Sequence, residues 1–140
     1  FLMTWSNNEQ TIIDKINKKY KIDLKLCSED FSHYDAYNHN YIAEIKIRKF
    51  ESYHKFAREG CFLEKYKYDK LSELKGKKKM LYINSFKDGV IAIWDLHRQN
   101  FEWEVRTMKK QTFGYQNQQI EKMVCKLYLD TAVTFRGNDV

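Results

Sequence analysis

The segment that decides the fold is YDAYNHNYIAEIKIR, residues 34–48. Its last eight residues, Tyr41–Arg48, alternate between apolar and polar positions, which predicts a β-strand. Alternate residues of a strand share a face, so Glu44 and Lys46 point one way and Ile45 points into the core. The polar side continues with Arg48, and the apolar side comprises Ala43, Ile45 and Ile47.

A turn precedes this strand. Asn38-His39-Asn40 predicts a chain reversal, because asparagine side chains bond nearby backbone groups and tolerate turn conformations. A short strand around His33–Tyr37 is then folded back beside Tyr41–Arg48. We expect this reversal to bring Asp35 close to Glu44, so that two carboxylates from consecutive strands meet.

The rest of the chain predicts helices and strands in an order typical of an α/β protein with a central mixed β-sheet flanked by helices. We expect residues 1–140 to form one domain. Before the deciding segment, the predicted elements are a helix from the capping-box sequence Ser6–Glu9 to about Tyr20, and a strand over Lys21–Cys27. After it, the sequence predicts a helix over Phe62–Leu74 that ends near Gly76, followed by a hairpin of Met80–Phe86 and Val90–Leu96. A strand over Phe101–Met108, a loop over Thr112–Gln119 and a final element over Glu121–Leu129 complete the chain order. That last element is ambiguous between strand and helix, and its alternation favours a strand.

Composition favours a globular protein with an anionic partner. Apolar residues make up 43% of the 140 residues, and 25 Lys and Arg face 19 Asp and Glu, for a net charge of +6. An excess of positive charge favours nucleic acid first among partners. A basic protein with no such partner would show the same excess.

Neither membrane insertion nor secretion is expected. The chain has no apolar run of membrane-spanning length, and its first five residues are too short for a signal peptide. Cys27, Cys61 and Cys125 are widely spaced and form no CxxC motif, which predicts neither a disulfide framework nor a zinc knuckle. We therefore expect a reducing, cytoplasmic compartment.

The paired carboxylates predict a divalent-metal site. Two carboxylates at short range repel unless a cation lies between them. Mg²⁺ prefers oxygen ligands and keeps several waters, so Asp35, Glu44 and the carbonyl of Ile45 suit it. Lys46 would lie beside the ion, where it can orient a water or stabilise charge on a phosphate. A half-exposed strand with its charges in solvent shows the same alternation.

The predicted second helix adds two lysines. At about 100° per residue, Lys67 and Lys70 fall within the arc of its apolar stripe. Lys67 would reach the metal and phosphate if the helix packs over the sheet beside Glu44. Snorkelling at the edge of the stripe is the alternative, and it is the better account of Lys70. The stripe itself comprises Leu63, Tyr66, Leu71 and Leu74.

The run Tyr34-Asp35 followed by Glu44-Ile45-Lys46 resembles the motif of PD-(D/E)XK nucleases, with Tyr34 in place of the proline. The wider stretch from Ile42 to Leu96 resembles small phage-encoded members, with EIKIR at 44–48 and EKYKYDKL at 64–71. The resemblance implies a restriction-endonuclease-like core and a Mg²⁺- or Mn²⁺-dependent deoxyribonuclease, acting in the host-cell cytoplasm if phage-encoded.

The resemblance also implies roles for particular residues. It assigns metal binding to Asp35, Glu44 and the Ile45 carbonyl, and catalysis to Lys46. Some members add a glutamate from the first helix, which would be Glu9 here, although a capping box explains that residue equally well. Related nucleases often dimerise to cut two strands, so the resemblance allows a homodimer.

Two other functions remain open. The same fold and basic surface would serve a non-catalytic nucleic-acid-binding module, or a module that binds a host protein. A histidine-based metal site is not expected, because His33, His39 and His54 match no ligand spacing.

Overall fold

A computed structural model of the chain describes residues 7–28, 32–49, 51–109 and 119–140. The first six residues, which include the stretch weighed as a signal peptide, lie outside the described residues. So does most of the loop predicted over Thr112–Gln119, although Gln119 itself begins a strand.

The described chain contains three helices and nine strands. The helices are α1 (Glu9–Tyr20), α2 (Tyr53–Glu59) and α3 (Lys65–Leu74). The strands are β1 (Lys25–Leu26), β2 (Ala36–Tyr37), β3 (Tyr41–Arg48), β4 (Cys61–Glu64), β5 (Lys79–Phe86), β6 (Val90–Asp95), β7 (Trp103–Lys109), β8 (Gln119–Leu127) and β9 (Val133–Arg136). Short 3-10 turns cover Leu96–Arg98, Leu129–Thr131 and Gly137–Asp139.

Six strands form a mixed sheet in the order β1-β2-β3-β5-β6-β9. β3 and β5 run parallel with Glu44 opposite Tyr82, and the other neighbours are antiparallel. This confirms an α/β fold with a mixed sheet. The expectation of one central sheet is incomplete, because β4, β8 and β7 form a second, antiparallel sheet in that order.

The predicted helix over Phe62–Leu74 is wrong at its start. Cys61–Glu64 is strand β4, in which Cys61 and Leu63 are buried and pair with β8, and the helix begins at Lys65. The predicted apolar stripe is wrong as well. Leu71 is fully buried, but Tyr66 is 60% exposed and Leu74 49% exposed.

The first helix is capped differently from the prediction. The helix begins at Glu9, and the N-cap is Asn8, whose side-chain oxygen accepts from the N–H of Thr11 at 2.9 Å. A capping box of Ser6 with Glu9 is therefore wrong, since Glu9 is the first helical residue, and Ser6 lies outside the described residues.

The strand predicted over Lys21–Cys27 is reduced to Lys25–Leu26. The side chain of Asn17 explains this, because it bonds both the N–H and the carbonyl of Leu24 at 2.8 and 2.9 Å. The Asn17 side chain thereby satisfies the backbone groups of Leu24 that a neighbouring strand would otherwise bind. The strand predicted around His33–Tyr37 likewise shortens to Ala36–Tyr37.

Downstream, the predicted elements agree with the structure. The hairpin, the strand after it and the strand assignment at Glu121–Leu129 are confirmed, with β8 ending at Leu127. Helix α2 and strand β9 were not expected.

The mixed sheet is covered on both faces. On one face Ile12, Ile13 and Ile16 of α1 pack against Ala43 and Ile45. The opposite face packs against α3 and the three-stranded sheet. The core between these layers contains Ile42, Tyr82 and Trp94 from the mixed sheet and Leu63, Leu71 and Cys125 from the layer that covers it. Glu44 faces this second layer and is only 8% exposed. The half-exposed strand considered above is therefore wrong.

Two further facts bear on the expectations about environment. Within the described ranges, no helix combines the length and apolarity needed to cross a membrane. Cys27, Cys61 and Cys125 are all free.

The link from α2 to β4 gives a test of the fold. Gly60 has φ +76° and ψ 175°, a region that is essentially limited to glycine. A Cβ there would lie 2.8 Å from the carbonyl oxygen of Leu127. We predict that Gly60→Ala lowers the free energy of unfolding by about 3 kcal/mol, measured by urea denaturation. The control is Gly76→Ala, at φ +56° with no described atom within 4 Å of the added Cβ, and it should cost about 1 kcal/mol. Equal losses would contradict this account.

Candidate functional site

An asparagine turn sets the geometry of the site. The side-chain oxygen of Asn38 accepts from the N–H groups of Asn40 and Tyr41 at 2.8 and 2.7 Å, which reverses the chain between β2 and β3. Ala36 then lies opposite Ala43 in the antiparallel ladder.

Asp35 continues this pairing beyond the end of β2. Its N–H donates to the carbonyl of Ala43 at 2.9 Å, and its Oδ2 accepts from the N–H of Ile45 at 2.7 Å. The carboxyl group of Asp35 therefore lies beside β3 at the level of Glu44. Because the N–H and C=O of one strand residue point to the same side, the Ile45 carbonyl faces the same edge.

The two carboxyl groups meet. Both side chains line the same cavity, and the charge of Asp35 acts on Glu44. Burial, and then the negative charge of Asp35, raise the pKa of Glu44 from 4.5 to about 7, against the opposing effect of Lys67. The structure thus brings together the two carboxylates that the sequence predicted to converge.

Two lysines stand beside this pair. The ammonium of Lys67, on α3, lies 3.2 Å from Oε1 of Glu44. Burial lowers the pKa of Lys67, but the charges of Glu44 and Asp35 outweigh it, so the pKa is raised. The pKa of Lys46 is lowered by burial and then by Arg48. The ammonium of Lys70 lies 3.6 Å from Glu73 instead.

These groups line one cavity of about 510 Å³. The predicted residues in its wall are Asp35, Glu44, Ile45, Lys46 and Lys67. The wall also contains Arg48, Phe62, Leu63, Glu64, Tyr82, Met108, Ile120 and Lys122.

Several wall residues were not assigned to the site from the sequence. Lys122 of β8 forms an ion pair with Glu64 at the end of β4. No sequence signal reports this contact, because it depends on the pairing of two strands that are distant in the chain. Arg48 was expected on the correct face of β3, and its Nε donates to the buried Asn84 at 2.9 Å.

Glu9 lies close enough to Asp35 for electrostatic coupling. Burial, and then the charge of Asp35, raise the pKa of Glu9. Yet among the residues that the structure describes, no three His, Cys, Asp or Glu side chains are grouped to hold a metal ion. The histidines gather no such group either, and Glu9 stands beside the site rather than in the cavity wall.

The donor set fits a hard divalent cation. Asp35, Glu44 and the Ile45 carbonyl offer oxygen ligands, and Mg²⁺ is commonly held by one or two carboxylates with waters in its remaining positions. The raised pKa of Glu44 records the repulsion and desolvation that a cation between the carboxylates would relieve.

Comparisons of the chain with protein-family models, with curated proteins and with solved structures found no match.

The carboxylate pair predicts a pH-dependent stability. The folded-state pKa of Glu44, about 7, lies above its ordinary value of 4.5, so the folded protein binds more protons between these values. The resulting stabilisation is complete below pH 4.5 and is lost as the pH rises through 7. We predict that the free energy of unfolding of the wild type falls by about 2–3 kcal/mol relative to Glu44→Gln from about pH 5 to about pH 8.

Urea denaturation of both proteins across this pH range measures the difference. The control is Glu73→Gln, which removes an exposed carboxylate from α3 and should keep the wild-type slope. Parallel curves for the wild type and Glu44→Gln would show that Glu44 does not titrate near neutrality.

Proposed function

We propose that the protein is a metal-dependent DNA nuclease of the PD-(D/E)XK type, which hydrolyses phosphodiester bonds with Mg²⁺ or Mn²⁺. The observation that carries the proposal is the meeting of Asp35 and Glu44, with Lys67 3.2 Å from Glu44 and Lys46 in the same cavity wall. Perturbed pKa values in a cleft favour a functional site, although structural ion-pair networks also produce them.

Each residue has a distinct role in this mechanism. Asp35 and Glu44 would hold the ion through their carboxylates, and Ile45 would do so through its carbonyl. A bound Mg²⁺ or Mn²⁺ would supply a more acidic water and polarise the phosphate. Lys46 would orient the attacking water and stabilise negative charge on the phosphate, and Lys67 would add positive charge beside Glu44. Glu9 assists from α1 through its proximity to Asp35.

The fold gives further support. Asp35 lies directly before β2, beside the Glu44-Ile45-Lys46 segment of β3 in the mixed sheet, and α3, which comes after α2 and β4, supplies Lys67. This arrangement agrees with a restriction-endonuclease-like core. The proposal places the protein in the cytoplasm, of a host cell if phage-encoded. A homodimer would be needed to cut both strands of a duplex.

Metal binding tests the carboxylate pair directly. We predict that the wild type binds Mn²⁺ at one site, measured by calorimetry, and that Asp35→Asn and Glu44→Gln each abolish this binding. DNA cleavage should fall on the order of 10²-fold or more in both variants, which lose the metal, and in Lys46→Met, which loses a positive charge beside the reacting phosphate.

The matched control is Asp69→Asn, which removes a carboxylate from α3 that pairs with Lys65 outside the site. It should bind Mn²⁺ and cleave as the wild type does. A folded wild-type protein that binds no Mn²⁺ and cleaves neither single-stranded, duplex nor branched DNA would overturn the proposal.

The ion pair between Lys67 and Glu44 favours a second candidate function. An ammonium beside a carboxylate pair can replace a metal, and the protein would then bind nucleic acid or a host protein without cutting DNA. The two functions predict different effects of removing the Lys67 ammonium.

For the nuclease, we predict that Lys67→Met strengthens Mn²⁺ binding by up to about fivefold, because a half-exposed ion pair is worth up to about 1 kcal/mol. Cleavage should nevertheless decrease. Lys70→Met, three residues along the same helix, should change neither quantity. Loss of stability in Lys67→Met, with no Mn²⁺ binding before or after the substitution, would instead support the non-catalytic function.

A further inference from the structure

One face of the three-stranded sheet carries a row of cationic and aromatic side chains. Alternate residues share a face, and the register places Phe62 opposite Lys126 and Arg106 opposite Lys122. We call this the groove face, and its residues are Phe62, Glu64, Glu104, Arg106, Lys122, Val124 and Lys126. The opposite face, with Cys61, Leu63 and Cys125, packs into the core.

Cationic groups and aromatic rings alternate along this row. The guanidinium carbon of Arg106 lies 4.9 Å from the centre of the Phe62 ring. The ammonium of Lys126 lies 6.0 Å from the same ring and 5.8 Å from the ring of Tyr128, whose side chain is exposed. Val124 also lies on this face, opposite Glu64 and Glu104 in the register, and is fully buried.

The row connects the carboxylate site to a second cavity. Phe62 and Lys122 line the site cavity, and Arg106 and Lys126 line the second, which has a volume of about 620 Å³. Arg98, Arg106 and Lys126 contribute three positive charges there against Glu102 and Glu104. Glu104 is already paired with Arg106, at 2.7 Å.

We propose that the groove face and Tyr128 bind an unpaired stretch of nucleic acid that leads away from the carboxylate site. Lysine and arginine side chains match the phosphates, while aromatic rings and guanidinium planes stack on bases. Bases in a duplex are already stacked and paired, so the alternating row suits a single strand. This inference rests on the proposed function, since it assigns the substrate strand of the same site.

Binding can be measured apart from cleavage, with the wild-type protein in EDTA. The probe is a fluorescein-labelled oligothymidylate of about twelve nucleotides, followed by anisotropy. We expect Lys126→Gln and Tyr128→Leu each to weaken binding about fivefold or more, since one stacked base is worth about 1–3 kcal/mol. The double variant Arg106→Gln/Lys126→Gln should reduce the slope of log affinity against log salt by about 1.4, the value for two cations on a single strand.

Two controls make the result decisive. Lys19→Gln removes a lysine that lies 6.0 Å from the Phe135 ring, at a contact between α1 and β9, and it should bind as the wild type does. A duplex of the same length should bind more weakly than the single strand. Tyr128→Leu keeps the backbone carbonyl that accepts from Trp94, so its fold should survive. Unchanged affinity in Lys126→Gln and Tyr128→Leu, or tighter binding of the duplex, would overturn the inference.

Failure of this inference is distinguishable from failure of the proposed function. Asp35→Asn and Glu44→Gln should not weaken binding in EDTA, because with no metal bound their carboxylates only repel the phosphates. Intact Mn²⁺-dependent cleavage with groove-face variants that bind normally would reject the inference alone. Groove-dependent binding without Mn²⁺ binding or cleavage would reject the nuclease proposal and retain a nucleic-acid-binding surface.

Discussion

The hydrogen bond from the Ile45 N–H to the carboxylate of Asp35 is the contact on which the site depends. It extends the pairing of β2 with β3 by using a side chain where the ladder has ended, and so fixes the Asp35 carboxyl at the level of Glu44. Its register is set by Asn38, whose side chain closes the turn. A slip of one residue would exchange the two faces of β3 and move Glu44 into the layer occupied by α1.

That register places a carboxylate where the surrounding fold is apolar. β3 lies inside the mixed sheet with layers on both sides, and Glu44 is nearly as buried as its apolar neighbours. A buried carboxylate needs a compensating charge or a proton. Lys67 supplies part of the charge, and the raised pKa of Glu44 shows that one ammonium does not fully compensate two carboxyl groups. The remaining electrostatic demand is the physical basis for expecting a divalent cation.

Local sequence was enough to predict the carboxylate pair, because β3, its turn and its alternation are encoded within residues 34–48. The same was true of the β5–β6 hairpin. Phe62–Glu64 was assigned to a helix because the four alternating residues of β4 are too short a signal beside the helical stretch that follows. The second sheet exists only through the pairing of β4 with β8, and the contact of Lys122 with Glu64 follows from that pairing. Asn17 shortened β1 through a side-chain contact that propensity does not encode.

The residues of the site divide in the same way, between the locally encoded β3 of the mixed sheet and the three-stranded sheet. Glu44 and Lys46 lie on β3 of the mixed sheet, with core on both faces, and Asp35, directly before β2, is bonded to β3 through Ala43 and Ile45. Lys122 and Lys126 come from β8, which joins the site only through the three-stranded sheet. The residues proposed to do chemistry therefore belong to one sheet, and those proposed to hold the substrate belong mainly to the other. In the described residues, β3 pairs with β2 and β5, whereas β7 pairs with β8. Substitutions on β7 and β8 can therefore alter which nucleic acid is bound without disturbing the two carboxyl groups.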